Sequence, residues 1–245
     1  WGPRARDALH PVTLDDVSSA AFPYMTARTI EIAGVPVLAQ RVTYVGELGW
    51  ELYMRPEHAG EVWDALIKAG QPYGIRPAGY KCLDSLRLEK GYRYWSSDIT
   101  PSENPFEAGL GFCVKLTKGD FIGRETLLKI KAEGALRGRK LCTITVKPQP
   151  VPPLSRGLPI EQGLGAGTWA GIYGGEPVYA DGRLVGRLRS AGYGYTVGQY
   201  IGYVYLPLEL ASVGTPLEVE VFGERFPTQV AADVLYDPKG ERLRV

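Results

Sequence analysis

One carboxylate stands apart from the others by its neighbours. Glu51 lies in the run Leu48-Gly49-Trp50-Glu51-Leu52-Tyr53, where Leu48, Trp50 and Leu52 alternate with Gly49, Glu51 and Tyr53. That period of two marks a strand with two different faces. Glu51 sits opposite Trp50 and Leu52, where a carboxylate must face water or find donors. Aromatic residues crowd the surrounding motifs: Tyr44, Trp50 and Tyr53, then Tyr92, Tyr94 and Trp95. A carboxylate framed by rings can hold a flat heterocycle with an amidine-like edge. It accepts two parallel N–H bonds while the rings sandwich the plane. The same residues also describe a solvent-facing glutamate beside an ordinary aromatic core, and periodicity leaves both readings open.

Little else has the spacing of a reaction centre. Gly165-Ala166-Gly167-Thr168-Trp169-Ala170 has the form G-x-G-x-x-A. A dinucleotide needs a strand before that motif and a helix after it, whereas here a proline-rich coil precedes it and further glycines follow. It reads as a loop. The chain contains no G-x-S-x-G elbow, P-loop or H-E-x-x-H motif, so hydrolase, NTPase and zincin readings have no support. Cys82, Cys113 and Cys142 are widely spaced with no C-x-x-C pair, which points to reduced thiols in a cytoplasmic protein. His10 and His58 are the only histidines, and no metal centre is expected of them.

The elements that position these residues follow from composition and pattern. The 245 residues carry 28 Lys and Arg against 27 Asp and Glu, which disfavours partners held by bulk charge, such as nucleic acid or a membrane surface. A 44% apolar fraction supports a packed core, and the length suggests two compact units. In the first, a short helix spans Pro3 to Leu9, and a loop or second short helix follows over Thr13 to Pro23. Strands come at Val35 to Val45 and Glu47 to Met54. A helix starting at Arg55-Pro56-Glu57 carries Ala59, Val62, Trp63, Leu66 and Ala69 to Gly70, and another runs from Ala78 to Lys90. Beyond Asp120, a basic helix ending near Lys140 leads into six short β-type runs separated by turn signals, expected to form a small antiparallel barrel or sandwich. The domain boundary is placed near 138, giving units 1–138 and 139–245, with a Pro/Gly-rich insertion at 147–175 as a surface loop.

Several motifs, in order, resemble one known family. Tyr44-Val45-Gly46-Glu47-Leu48-Gly49-Trp50-Glu51-Leu52-Tyr53 is similar to the Y-x-G-E-x-G-x-E signature of glycine-cleavage T-proteins (aminomethyltransferases) and their relatives. Asp84-Ser85-Leu86-Arg87-Leu88-Glu89-Lys90-Gly91 resembles a second signature, and Asp98-Ile99-Thr100 through Asn104-Pro105-Phe106-Glu107-Ala108-Gly109-Leu110 a third. Phe121-Ile122-Gly123-Arg124 and Ser190-Ala191-Gly192-Tyr193-Gly194-Tyr195 resemble its barrel-side motifs. T-proteins proper carry an Arg four residues before the Arg of S-L-R-L-E, where this chain has Leu83. That resembles instead the folate-binding C-terminal region of dimethylglycine oxidase, dimethylglycine dehydrogenase and sarcosine dehydrogenase.

The resemblance implies an α+β fold: a T-protein-like folate-binding lobe followed by a small antiparallel β-barrel. It implies tetrahydrofolate as cofactor, with FAD only if an upstream domain or partner chain exists. The implied function is capture of one-carbon units from methylated glycines as methylenetetrahydrofolate. The alternative is a non-catalytic folate-binding or scaffold protein of the same fold. Carried over by position, Glu51 grips the pterin's amino edge with Leu52 and Tyr53 beside it, Tyr44 and Tyr92 line the pocket, and Tyr236 and Arg242 reach the site. The family's general-base Asp lies before Trp-Gly-Pro, whereas this chain opens at Trp1-Gly2-Pro3. Asp7, Asp15 and Asp16 do not match its motif, so no catalytic residue is carried over. An upstream segment or partner chain is expected to complete the site.

Overall fold

The computed structural model describes residues 1–134, 138–146 and 172–245. The G-x-G-x-x-A stretch, and all of the 147–175 insertion except its last four residues, lie outside the described residues. The chain divides into two compact units, one formed by Trp1–Lys90 with Tyr236–Val245 and the other by Gly91–Leu235.

The first unit holds helix α1 (Ala5–Leu9) and a three-stranded antiparallel sheet in the order β1 (Ala27–Ile32), β2 (Val35–Gln40), β3 (Glu51–Tyr53). Helices α2 (Ala59–Gly70) and α3 (Tyr80–Glu89) follow. Strands β1 and β2 form a hairpin closed by Ala33 and Gly34, both at positive φ (51° and 82°), the turn whose twist matches paired strands. Ile30, Ile32, Val35, Val37 and Ala39 point inward and pack with Phe22, Leu48, Trp50 and Val62 in one core. The pattern predicts a longer second strand, to Val45, but pairing stops at Gln40. There the buried Arg41 turns its guanidinium onto the Phe22 carbonyl (2.5 Å) and Ser19 Oγ (3.2 Å). No helix forms over Thr13 to Pro23, because Asp15 and Asp16 give their carboxylates to the Glu31 and Ser18 backbone N–H groups at 2.8 Å. On α2, Val62 and Leu66 face the core while Trp63 is left exposed.

In the second unit, α4 (Arg124–Ala132) ends well before Lys140, since Gly134 and Gly138 both take positive φ (105° and 77°). The six predicted strands are β4 (Arg139–Val146), β5 (Pro177–Ala180), β6 (Arg183–Gly194), β7 (Gln199–Pro207), β8 (Pro216–Val221) and β9 (Glu224–Val230). They close into a barrel in the order β4-β7-β6-β5-β8-β9, with β9 returning to β4, which decides between barrel and sandwich. Along β7, Tyr200, Val204 and Leu206 fill the barrel core. Tyr203 and Tyr205 point to its outer face, where the segment after Gly91 covers them. Tyr203 donates to the Tyr92 carbonyl (3.3 Å), Tyr205 to the Asp98 carbonyl (3.2 Å), and the Leu141 N–H to the Glu107 carbonyl (2.8 Å). Those bonds tie Gly91 onward to the barrel, so position 138 falls inside this unit, one residue before β4 begins.

Candidate functional site

Among the described residues strand β3 pairs only with β2, Glu51 standing opposite Gln40, and its other edge has no strand neighbour there. Glu51 and Tyr53 share a face two residues apart, and the Tyr53 hydroxyl donates to Glu51 Oε2 at 2.6 Å. That bond to a carboxylate is the main reason the Tyr53 phenol is held above its ordinary pKa. Glu51 is half-buried and its Oε1 accepts nothing from the described residues. The structure thus gives a carboxylate oriented by a phenol, with acceptor capacity left over. Leu52 points the other way, against the core of the first unit. Half-buried Tyr44 enters the turn built by Thr43, whose Oγ1 accepts the N–H groups of Val45 (3.2 Å), Gly46 (3.0 Å) and Glu47 (3.3 Å). Tyr92 belongs to the second unit.

The same turn delivers Glu47 to a second cluster that the sequence does not announce. Tyr236 and Arg242 converge there. The Tyr236 hydroxyl donates to Glu47 Oε1 at 2.9 Å, Arg242 Nη1 lies 3.9 Å from the same oxygen, and its guanidinium stacks 5.4 Å from the Tyr236 ring. Glu47 Oε2 is buried with no partner among the described residues. Burial first, and the bond to Glu47 second, push the Tyr236 phenol up. The tail is fastened by Lys90, whose Nζ donates to the Asp237 carbonyl (2.5 Å) and to Asp237 Oδ2 (2.9 Å). The Asp237 carboxylate also accepts the Glu241 N–H (2.9 Å) and the Arg242 N–H (3.2 Å), which places the Arg242 side chain. Sequence reasoning places Tyr236 and Arg242 at the site but misses Glu47, Lys90 and Asp237. The E of the Y-x-G-E signature is the only signal that could have found the first of them.

Gly46 lets this cluster close. It takes φ +78°, and a Cβ there would stand 2.5 Å from Lys90 Cδ, midway along a side chain pinned at its tip. Gly46→Ala should therefore cost about 1–3 kcal/mol. Urea denaturation checks this, and a loss under about 0.5 kcal/mol would contradict the tight approach.

Comparison with known proteins bears on these residues. A family model described as the GCVT N-terminal domain matches residues 1–118, and one described as the glycine cleavage T-protein C-terminal barrel domain matches residues 164–237. The chain is 37% identical over 246 residues to the mitochondrial dimethylglycine dehydrogenase of Mus musculus, covering 99% of this chain and 26% of that protein. To an aminomethyltransferase of Symbiobacterium thermophilum it is 34% identical, covering 96% of this chain and 57% of the relative. It thus spans between about a quarter and just over half of these relatives' lengths. The crystal structure of glycine cleavage system aminomethyltransferase T from Bartonella henselae superposes with a TM-score of 0.66 at 23% identity, over 81% of this chain and 50% of that one, which is a likeness of fold.

Proposed function

We infer function from family membership: the chain belongs to the glycine-cleavage T-protein family, matching its N-terminal domain and its C-terminal barrel domain in order. On that premise it is the tetrahydrofolate-binding part of an aminomethyl- or methyl-transferring enzyme. The enzyme's substrates are methylated glycines of the dimethylglycine or sarcosine type, a reading supported by the identity to dimethylglycine dehydrogenase across 99% of the chain.

The observation that carries the reading is the Glu51 carboxylate, held by Tyr53 at 2.6 Å with its other oxygen unspent. A carboxylate offers about four lone-pair sites, so one phenol bond leaves room for both N–H groups of an amino-pyrimidine edge. The buried Glu47 Oε2, without a partner among the described residues, is a second acceptor on the same unit that a ligand donor would satisfy. The residues present therefore fit the cofactor. Tetrahydrofolate, when bound, supplies the nitrogen nucleophiles that accept a one-carbon unit. The chain's share is to bind and orient. Glu51 takes the amino edge, the Tyr44 and Tyr53 rings cover the flat heterocycle, and the Tyr236–Arg242 pair is held in place by Glu47 and Asp237.

Isothermal titration with 5-formyltetrahydrofolate tests this, and one saturable site per chain is the expected result. No heat, and no shift in melting temperature at about 1 mM ligand, would overturn it.

A further inference from the structure

A groove of about 610 Å³ opens on the barrel unit, and the proposed folate chemistry makes no use of it. Its walls carry Arg139 from β4, Arg187 and Arg189 from β6 and Tyr205 from β7, with Val185 and Pro207 as apolar neighbours. Arg187 and Arg189 flank the core-facing Leu188, so both guanidiniums leave the strand on its outer side.

Two of these arginines are anchored. Glu103, its side chain 1% exposed, receives Arg139 Nη2 at 3.3 Å and Arg189 Nη2 at 3.0 Å on a single oxygen. Its other oxygen accepts the Thr100 N–H (2.9 Å) and hydroxyl (2.7 Å). Glu107, wholly buried, lies 3.7 Å from Arg139 Nε. Burial alone would push the Glu103 carboxyl up, but the Thr100 bonds and the two guanidiniums outweigh it and hold the group below its ordinary range. The same guanidiniums lie 5.0 and 5.2 Å from the centre of the Tyr205 ring. The anchoring leaves Nη1 of Arg139, and Nε and Nη1 of Arg189, without acceptors among the described residues.

The third arginine has no acidic partner among the described residues. Arg187 is exposed, and its hydrogen bond among the described residues is from Nη1 to the Gly175 carbonyl at 3.2 Å. Among the described residues, three guanidiniums facing two carboxylates leave one positive charge, located on Arg187, in a groove with apolar walls. A purely structural ion-pair cluster has no need of that extra charge. A phosphate dianion would exceed it and would gain nothing from Val185 and Pro207.

We infer that this groove binds a small amphipathic monocarboxylate, its carboxylate on Arg187 and the free guanidinium edges, its apolar body against Val185, Pro207 and Tyr205. The volume lies within the range of small-molecule sites, and the anchored arginines present their donors without a large ordering cost.

Benzoate, its neutral isostere benzamide and inorganic phosphate are the probes, each titrated into the isotope-labelled chain while amide NMR signals are followed. Benzoate should move the Gly186, Arg187 and Leu188 signals saturably, with benzamide and phosphate at least about ten-fold weaker. Arg187→Gln should weaken benzoate about ten-fold or more at an unchanged melting temperature, and Arg187→Lys should lose less. Glu51→Ala, in the other unit, should leave benzoate binding intact, which separates this site from any folate site. Benzamide or phosphate binding as tightly as benzoate, an unaffected Arg187→Gln, or no saturable shift by about 20 mM would each overturn the assignment.

Discussion

Glu51→Ala should raise the dissociation constant for 5-formyltetrahydrofolate about 30-fold or more, while moving the melting temperature by less than about 2 °C. Losing one partner of a desolvated, hydrogen-bonded charge pair costs roughly 2–5 kcal/mol. Glu51 is half-buried and lies on an edge strand, so the lower end applies, and ~2 kcal/mol is a factor of about 30. Stability should barely change, because the carboxylate's one bond among the described residues is to the half-exposed Tyr53. Glu51→Gln keeps an acceptor and should lose less, about ten-fold. Tyr53→Phe, which only frees the carboxylate to rotate, should lose a few-fold. Calorimetric titration of the three variants would establish that order. Wild-type affinity in Glu51→Ala would remove this carboxylate from the folate site.

That prediction rests on a face relation readable from the sequence. The alternation from Leu48 to Tyr53 puts Glu51 and Tyr53 on one side, and their hydrogen bond follows from it. The six barrel strands are readable for the same reason, each being a short apolar or alternating run between turn residues. Strand β1 is not. Only Ile30 and Ile32 of Ala27–Ile32 are buried apolar residues, and the turn that folds it onto β2 puts an alanine at positive φ, which no local preference announces. The segment after Gly91 escapes a linear reading too. Its motif continues from the preceding helix, yet its backbone carbonyls are bonded by barrel tyrosines more than 100 positions further on. The Glu47 cluster is the extreme case. Tyr236 lies 189 positions from Glu47, and Asp237 147 from Lys90, separations at which a side-chain pair leaves no periodic trace. Only family resemblance brought Tyr236 and Arg242 toward the site, and it did not identify Glu47 as the residue that receives them.

Because that cluster depends on one buried lysine, Lys90→Met should destabilise the chain by about 2 kcal/mol and loosen the tail that carries Tyr236 and Arg242. Methionine keeps the apolar stem that passes over Gly46 but removes the ammonium. The Asp237 carboxylate is then left without its cation, its side chain only 9% exposed. Breaking a buried ion pair costs roughly 3–5 kcal/mol, and the two backbone N–H groups that stay on Asp237 reduce that. The pair also predicts a pH dependence. Burial pushes the Asp237 carboxyl up, but Lys90 and the two N–H groups outweigh it, so its folded pKa lies below the ordinary value. A depressed carboxylate contributes stability in full above its unfolded pKa, about 3.9, and loses it as pH falls from there through the folded value. Wild type should therefore lose stability more steeply than Lys90→Met below about pH 4. The double variant Lys90→Met/Asp237→Asn, in which no charge remains uncompensated, should recover part of what Lys90→Met loses. Denaturant melts of wild type, Lys90→Met, Asp237→Asn and the double variant at pH 7 and about pH 3.5 give the cycle. Strictly additive losses would mean that Lys90 and Asp237 act independently, and the tail would then owe its position to the Tyr236–Glu47 bond and the buried Leu243.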